Sequence, residues 1–250
     1  MTRRASAWVA VFVTAVMWQP AGAQSTAQLK QELDALKARV DAQQKEIDAL
    51  KVQRPAGATL PPLDQIELTL AKTPMAGNAA TRVVLVEVSD FECPFCGRHA
   101  RQTAPQIERE YVETGKVRHA FLNFPLASHR NAFKAAEAGL CAADQGKFWE
   151  LHARMFANQT QLAPALVPPL AAAAGLNAEQ LRACVDSGRK RDQVSADQAM
   201  AQRAGVTATP TFFVGLLDPK TGAFTVTERI IGAKPYAAFK QALDAALARN

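Results

Sequence analysis

The chain has 250 residues, a formal net charge of +6 at pH 7 and 48% hydrophobic residues. This length suits one medium domain with an extension. The basic residues are scattered and no patch of them alternates with aromatic side chains, so the charge predicts no nucleic-acid partner.

Residues 1–23 are typical of a secretory signal peptide. Arg3 and Arg4 form a basic start, residues 7–17 are apolar, and Ala21-Gly22-Ala23 has the small side chains of a cleavage site. The apolar stretch is too short to span a bilayer, although an uncleaved membrane anchor stays open as an alternative. We expect cleavage after Ala23 and export to the periplasm.

Residues 24–54 are predicted to form a coiled-coil oligomerisation helix. The apolar residues there follow the alternating spacings of four and three that mark a heptad seam, and they are Leu29, Leu33, Leu36, Val40, Ile47 and Leu50. Opposite charges flank the seam in pairs such as Glu32 with Lys37, which favours parallel strands. We expect a homo-oligomer through residues 27–53, either a dimer or a trimer. The alternative is one amphipathic helix that lies on its own domain.

Residues 55–62 are rich in proline and are predicted to be a linker, so the main domain is expected to span residues 63–250. Helix formers without a strand pattern fill the middle of that domain, which predicts a helical insertion at about 126–205. Strand and helix patterns on both sides of it predict an α/β fold. The predicted strands are 66–70, 83–88, 117–124, 211–215 and 224–231, and the predicted last helix is 236–247.

The motif Cys93-Pro94-Phe95-Cys96 follows the apolar strand 83–88 and precedes a helical pattern over 97–115. A helix start has free N–H groups and a partial positive charge, which stabilise an anion. The thiolate is such an anion and is the reactive form of cysteine. Zinc is disfavoured because it takes four ligands and the chain has a single CxxC, so the motif predicts a redox pair.

The other two cysteines are Cys141 and Cys184, both inside the helical insertion. An even number of cysteines in an oxidising compartment predicts disulfides. We expect a Cys141–Cys184 bridge worth about 4 kcal/mol in the chain-entropy model. Two buried free thiols are the alternative.

Three segments in this order carry a family resemblance: 84–96 with the CxxC, 146–152 in the insertion, and 205–215 with Thr209-Pro210. The chain resembles the exported DsbA-like thiol–disulfide oxidoreductases over residues 63–250. The resemblance implies a thioredoxin fold with an inserted all-helical domain. It also implies that Cys93 attacks, that Cys96 resolves, and that Thr209-Pro210 is a cis-proline loop that binds substrate. We expect no cofactor and no metal.

Glu87 lies in an otherwise apolar strand and matches the family's buried acid beneath the CxxC. Burial is expected to raise its pKa, so that it accepts or delivers the proton of Cys96. The alternative is a strand-end acid in solvent. Asp90 and Glu92 are expected at the surface, where their charge would oppose a thiolate at Cys93.

The dipeptide between the cysteines, Pro94-Phe95, departs from the histidine that the strong oxidases of the family commonly carry. Phenylalanine supplies neither a charge nor a donor to the thiolate, which argues weakly against the most oxidising behaviour.

The resemblance implies disulfide exchange with cysteine-containing exported proteins and recycling by a membrane or periplasmic redox partner. An oligomer would place several CxxC sites around a shared space, as in the family's isomerases and trimeric copper-tolerance members, which favours an isomerase or reductase. Three alternatives stay open. They are a monomeric-type dithiol oxidase, a copper-binding redox protein whose two thiolates hold Cu(I), and a coiled-coil adaptor with a redox-dead domain.

Overall fold

The computed structural model describes residues 26–52 and 60–250. The predicted signal peptide and most of the predicted linker lie outside these residues. The chain divides into two compact units between Thr59 and Leu60, and each unit is described by itself.

The first unit contains one helix, α1 (Thr26–Val52). Four apolar residues of the predicted seam are between 49% and 57% exposed, and they are Leu29, Leu33, Leu36 and Val40. The helix therefore carries an exposed apolar stripe at coiled-coil spacing. None of the helices in the described residues combines the length and apolar character that crossing a membrane requires.

The second unit is built on a five-stranded sheet with the order β1-β3-β2-β4-β5. The central strand β2 pairs parallel with β3 and antiparallel with β4. All seven residues of β2 are buried, as expected of a strand covered on both faces. The strands are β1 (Met75–Ala76), β2 (Val83–Ser89), β3 (Arg118–Asn123), β4 (Thr211–Leu217) and β5 (Phe224–Ile231).

The strand predicted at residues 66–70 is wrong, because this segment makes only one isolated bridge, between Thr69 and Ala223. Its alternating apolar residues Ile66, Leu68 and Leu70 are nevertheless buried. The alternation of apolar residues therefore arises because this segment packs against the core, and it does not indicate a strand of the sheet.

Two helical segments begin at the CxxC, α2 (Pro94–Gln102) and α3 (Ala104–Ile107), with a π-helical turn at Glu108–Val112. The sequence pattern predicts one continuous run over 97–115. The run breaks at Thr103 because Pro105, two residues on, has no N–H for a hydrogen bond to an earlier carbonyl.

The segment between β3 and β4 is helical, and a terminal helix packs against the sheet. The first two helices of the predicted insertion are separated at Gly146, whose φ of +69° is the left-handed conformation that ends a helix. The fold class is therefore α/β with a helical insertion. The helices are α4 (Ala132–Ala143), α5 (Phe148–Ala157), α6 (Val167–Ala173), α7 (Ala178–Ser187), α8 (Arg191–Arg203) and α9 (Tyr236–Leu247).

One apolar cluster joins the CxxC to the insertion. Phe91, Cys96 and Phe121 pack there with buried side chains of α4 and α5. Within the insertion, Cys141 of α4 is bonded to Cys184 of α7, with their Cα atoms 6.0 Å apart. The redox pair thus rests on the insertion as well as on the sheet.

Candidate redox site

Cys93 lies at the N-cap of α2, and Pro94 occupies the first helical turn. Proline suits this position because a helix leaves its first N–H groups unpaired in any case. The carbonyl of Cys93 accepts a hydrogen bond from the N–H of Gly97 at 3.0 Å, which starts the helical ladder. The backbone N–H groups of Cys96 and Phe95 in this turn favour the thiolate of Cys93.

The two cysteines have opposite acidities. A hydrogen bond from the Cys96 thiol lowers the pKa of Cys93 to about 5. Burial opposes this shift, whereas the Thr209 side chain and backbone N–H groups add to it. Burial and the adjacent Cys93 thiolate raise the pKa of Cys96 well above its ordinary value. At neutral pH, Cys93 is therefore a thiolate and Cys96 is a thiol.

The peptide bond between Thr209 and Pro210 is cis. This loop lies directly beside Cys93, because the Cys93 sulfur is 3.4 Å from the Thr209 carbonyl oxygen and donates to it when protonated. On its other side, the carbonyl of Pro210 accepts a hydrogen bond from the N–H of Gly232 at 2.8 Å. The loop is thus held between the redox pair and the end of β5.

Glu87 on β2 is 1% exposed and stands among buried imidazoles. The Nε2 atom of His119 lies 3.1 Å from Glu87 Oε2, and the Nε2 atom of His99 lies 3.9 Å from the same oxygen. The Nδ1 atom of His119 is 2.7 Å from Oε1 of Glu108, whose side chain is 31% exposed. The result is a carboxylate–imidazole–carboxylate chain that leads from beneath the CxxC towards the surface.

The expectation that burial raises the pKa of Glu87 is wrong in its outcome. Burial does raise the pKa, but the hydrogen bond from His119 and the neighbouring imidazole charges outweigh it and hold the pKa at about 2. Burial alone would lower the pKa of His119, yet its hydrogen bonds to Glu108 and Glu87 raise it to about 9. Glu87 is therefore ionised and His119 charged across the neutral range.

Asp90 and Glu92 are not the surface charges that the sequence predicts. Asp90 is 2% exposed, and its carboxylate accepts hydrogen bonds from the N–H of Leu126 and from His129 Nδ1, both at 2.8 Å. Glu92 accepts from the backbone N–H and the side-chain amide of Asn131. Both acids satisfy donors at the start of the insertion, so they hold it against the CxxC loop.

A family model described as thioredoxin matches residues 69–218, a range that holds Glu87, the CxxC and the Thr209-Pro210 loop. The chain belongs to the thioredoxin family. Solved structures of DsbA-type proteins confirm the fold that the resemblance implies. BdbD from Bacillus subtilis superposes with a TM-score of 0.63 at 23% identity, covering 73% of this chain and 96% of BdbD.

Two further solved structures show the same fold. For α-DsbA1 from Wolbachia pipientis the TM-score is 0.64 at 23% identity, with 75% of this chain and 97% of that chain covered. For the catalytic domain of Proteus mirabilis ScsC the TM-score is 0.57 at 19% identity, with coverages of 71% and 90%. The α/β fold with its helical insertion is thus the fold of DsbA-type thioredoxin-family proteins.

Among curated relatives, disulfide bond formation protein D of Bacillus subtilis is 28% identical over 149 residues, which are 56% of this chain and 67% of that protein. The Na(+)/H(+) antiporter NhaA 3 of Salinispora tropica is 37% identical over 139 residues, which are 55% of this chain but 21% of the antiporter. The chain spans a minor part of the antiporter, so that name describes a larger protein.

The buried histidines of this thioredoxin-family chain make its free energy of unfolding pH-dependent. Burial lowers the pKa of His99 and of His152 to about 4, from an ordinary 6.5. The unfolded chain binds more protons between these values, so stability falls as the pH drops from 6.5 to 4, by at most about 3 kcal/mol per histidine. Burial raises the pKa of Asp197 to about 6, and this one carboxyl acts in the opposite direction.

In the oxidised protein Cys93 and Cys96 are bonded to each other and do not titrate, so the sign on the alkaline side is set by His119, whose pKa is raised to about 9. The folded chain keeps that proton between pH 6.5 and 9 while the unfolded chain loses it, so stability falls as the pH rises. Urea unfolding of the oxidised protein, measured from pH 4 to 9, is therefore expected to show a maximum near pH 6.5. In His119→Asn the alkaline decline should be much shallower, and a wild-type plateau up to pH 9 would contradict the assignment.

Proposed function

We propose that this protein is an exported thiol–disulfide oxidoreductase that exchanges disulfides with cysteine-containing proteins through Cys93 and Cys96. The observation that carries the proposal is the asymmetry of the pair. Cys93, at a helix start beside Thr209 and 3% exposed, has a pKa of about 5, whereas Cys96 has no exposed surface and its pKa is raised. Such a pair suits the two successive steps of disulfide exchange, attack and resolution.

In the reductive direction the Cys93 thiolate attacks one sulfur of a substrate disulfide. A mixed disulfide forms, the substrate disulfide breaks, and one substrate sulfur leaves as a thiolate. Cys96 then loses its proton and attacks the Cys93 sulfur. The Cys93–Cys96 bond forms, the mixed disulfide breaks, and the substrate leaves reduced while the protein is oxidised. The oxidative direction is the reverse of these steps.

We propose that Glu87 and His119 take up and return the proton of Cys96 during exchange. The Glu87 carboxylate is ionised at rest and holds no proton in reserve, and with a pKa of about 2 it is a weak base that can pass the Cys96 proton on but not retain it. In the oxidative direction, the charged His119 that is hydrogen-bonded to Glu87 is the group with a proton to return. The Thr209-Pro210 loop is the proposed docking segment, because it lies against the attacking sulfur.

The proposal is tested by exchange with a peptide that contains two cysteines. Mixing oxidised protein with reduced peptide should add the mass of two hydrogens to the protein and remove it from the peptide. Mixing reduced protein with oxidised peptide should give the opposite changes. With Cys96→Ser the reaction should stop at a covalent mixed disulfide on Cys93. Failure of the wild-type protein to exchange in either direction would refute the proposed activity.

We further propose that α1 joins two or three copies of the chain and that the assembly favours isomerase or reductase chemistry. The support is the apolar stripe of Leu29, Leu33, Leu36 and Val40, each about half exposed. Burying such a stripe against a second copy is the usual driving force of a coiled coil. Several redox pairs around one space would then meet a misfolded substrate together.

Leu33→Glu with Val40→Glu is expected to give a monomer, because two carboxylates per chain would enter the seam. Light scattering should show the drop in mass, and isomerisation of a scrambled disulfide substrate should fall while oxidation of a simple dithiol peptide persists. Gln31→Glu with Ala38→Glu adds the same charge on the opposite face and should keep the oligomer. A wild-type mass equal to that of one chain would contradict the proposal.

Export and recycling belong to the same proposal. The signal peptide predicted at residues 1–23 would deliver the protein to the periplasm, where a membrane or periplasmic redox partner would restore the state of the CxxC. Support comes from the Bacillus subtilis relative, which is named for disulfide bond formation. The mature protein isolated from the periplasm should begin at Gln24, and an unprocessed N-terminus would contradict cleavage.

A further inference from the structure

A basic cleft lies beside the CxxC, between α2 and the loop that follows β5. Its volume is about 420 Å³, and its lining includes the cations Arg98 and Lys234 together with Gln102, Gln106 and Tyr236. Both cationic side chains belong to exposed residues. Neither forms an ion pair within residues 26–52 and 60–250. The cleft therefore offers two positive charges that the described part of the chain does not neutralise.

Arg98 connects the lining of the cleft to the CxxC. The guanidinium of Arg98 lies 5.1 Å from the centre of the Phe95 ring, a cation–π contact. Phe95 stands between the two cysteines and is 54% exposed. A protein bound to the cysteines would therefore meet the exposed Phe95 ring with the positive charge of Arg98 beside it.

Hydrogen bonds also connect the cleft to the Thr209-Pro210 loop. Gly232, two residues before Lys234, donates its N–H to the carbonyl of Pro210. The carbonyl of Lys234 itself accepts a hydrogen bond from the Thr103 hydroxyl at 3.3 Å, which fixes this loop against the end of α2. Both cations thus sit on segments whose positions are set by the redox site.

We infer that this cleft recognises an acidic side chain close to the cysteine of the protein substrate. This inference rests on the proposed function and names the substrate class of that site. Arg98 lies five residues after Cys93, which places it about 7.5 Å along the helix axis. An extended peptide advances about 3.3 Å per residue, so a residue two positions from the substrate cysteine reaches the cleft.

The chemistry of the two cations suits a carboxylate. A guanidinium can donate two parallel hydrogen bonds to it, and an ammonium adds a second point charge. Because the cleft is open to water, each pair is worth little by itself. We expect a roughly three- to tenfold preference in the rate of attack, and we expect salt to reduce it.

The test uses three peptides that are identical except at the positions two before and two after a single cysteine. Those positions carry aspartate, asparagine or lysine, and the cysteine is blocked as a disulfide with a small thiol. The measured quantity is the second-order rate constant for release of that thiol by the full-length reduced protein. Rates should fall in the order aspartate, asparagine, lysine at low salt and converge at about 1 M salt, where screening is strong.

Two variants with changed cleft charges locate the effect. Lys234→Gln should reduce the ratio of the aspartate rate to the lysine rate, and Arg98→Gln with Lys234→Gln should bring it close to one. Lys220→Gln, which removes a distant charge in the turn before β5, should leave the ratio unchanged. Equal wild-type rates for the three peptides, or a preference that survives in the double variant, would overturn the inference while leaving the proposed function intact. No reaction with any peptide would overturn both.

Discussion

Cys93→Ser is expected to lose disulfide exchange by roughly a thousandfold or more, to the uncatalysed background. A serine hydroxyl is not ionised at neutral pH and cannot form a disulfide, so neither the first attack nor the mixed disulfide remains. The measurement is the initial rate at which the protein reduces a disulfide-linked peptide in the presence of excess dithiol.

The matched controls separate a lost nucleophile from a lost fold. Cys96→Ser should still attack, because Cys93 keeps its place at the start of α2, and should stop as a covalent adduct. Thermal unfolding of Cys93→Ser should remain a single cooperative transition, which shows that the fold is kept. Exchange at a wild-type rate in Cys93→Ser would place the reactive thiol elsewhere.

Removing the Cys141–Cys184 bridge is expected to cost about 2–5 kcal/mol of the free energy of unfolding. The bridge ties α4 to α7 inside the same apolar cluster that supports the CxxC. Without it, the unfolded chain gains the conformational freedom of the loop between the two cysteines. Urea unfolding of Cys141→Ala with Cys184→Ala, compared with wild type, measures this loss.

The single variants provide the control for this second prediction. Each of Cys141→Ala and Cys184→Ala breaks the same bond, so each should lose nearly as much stability as the double variant. Two independent buried thiols would instead give losses that add. A double variant within about 0.5 kcal/mol of wild type would show that the bridge does not stabilise the insertion.

Helices and strands were predictable from the sequence where a periodic pattern of apolar residues ends at a clear stop signal such as glycine or proline. The strand 224–231 and the helix 236–247 have the predicted bounds. Gly232 and Pro235 lie between them and separate a pattern of period two from one of helical period. At residues 66–70 the same alternation predicted a strand that the sheet does not contain, because burial of every second residue does not require a partner strand.

The polar network beneath the CxxC was not predictable to the same degree. Glu87 stood out because it interrupts an apolar strand, but its partners His119 and Glu108 come from β3 and from the turn before it. Their approach depends on the pairing of β2 with β3, in which Glu87 is opposite Phe121 and His119 is opposite Leu85. A shift of one residue in that register would turn His119 to the other face.

The direction of the pKa shift of Glu87 depends on its histidine partners, which the sequence did not identify. Burial taken alone raises the pKa of a carboxyl, whereas burial with a charged imidazole lowers it. One signal was available in the sequence. His119 and Phe121 are two residues apart in a predicted strand, so they share a face, and this marks His119 as a candidate inner residue.

The central claim is that Cys93 is a low-pKa nucleophile paired with a thiol that stays protonated. The most direct measurement is the rate of alkylation of the reduced protein as a function of pH, with the labelled residue located by mass spectrometry. We expect labelling at Cys93 with a midpoint near pH 5, and no labelling of Cys96 over the range in which Cys93 titrates. A Cys93 midpoint near the ordinary pKa of 9.0, or equal labelling of the two cysteines, would contradict the account.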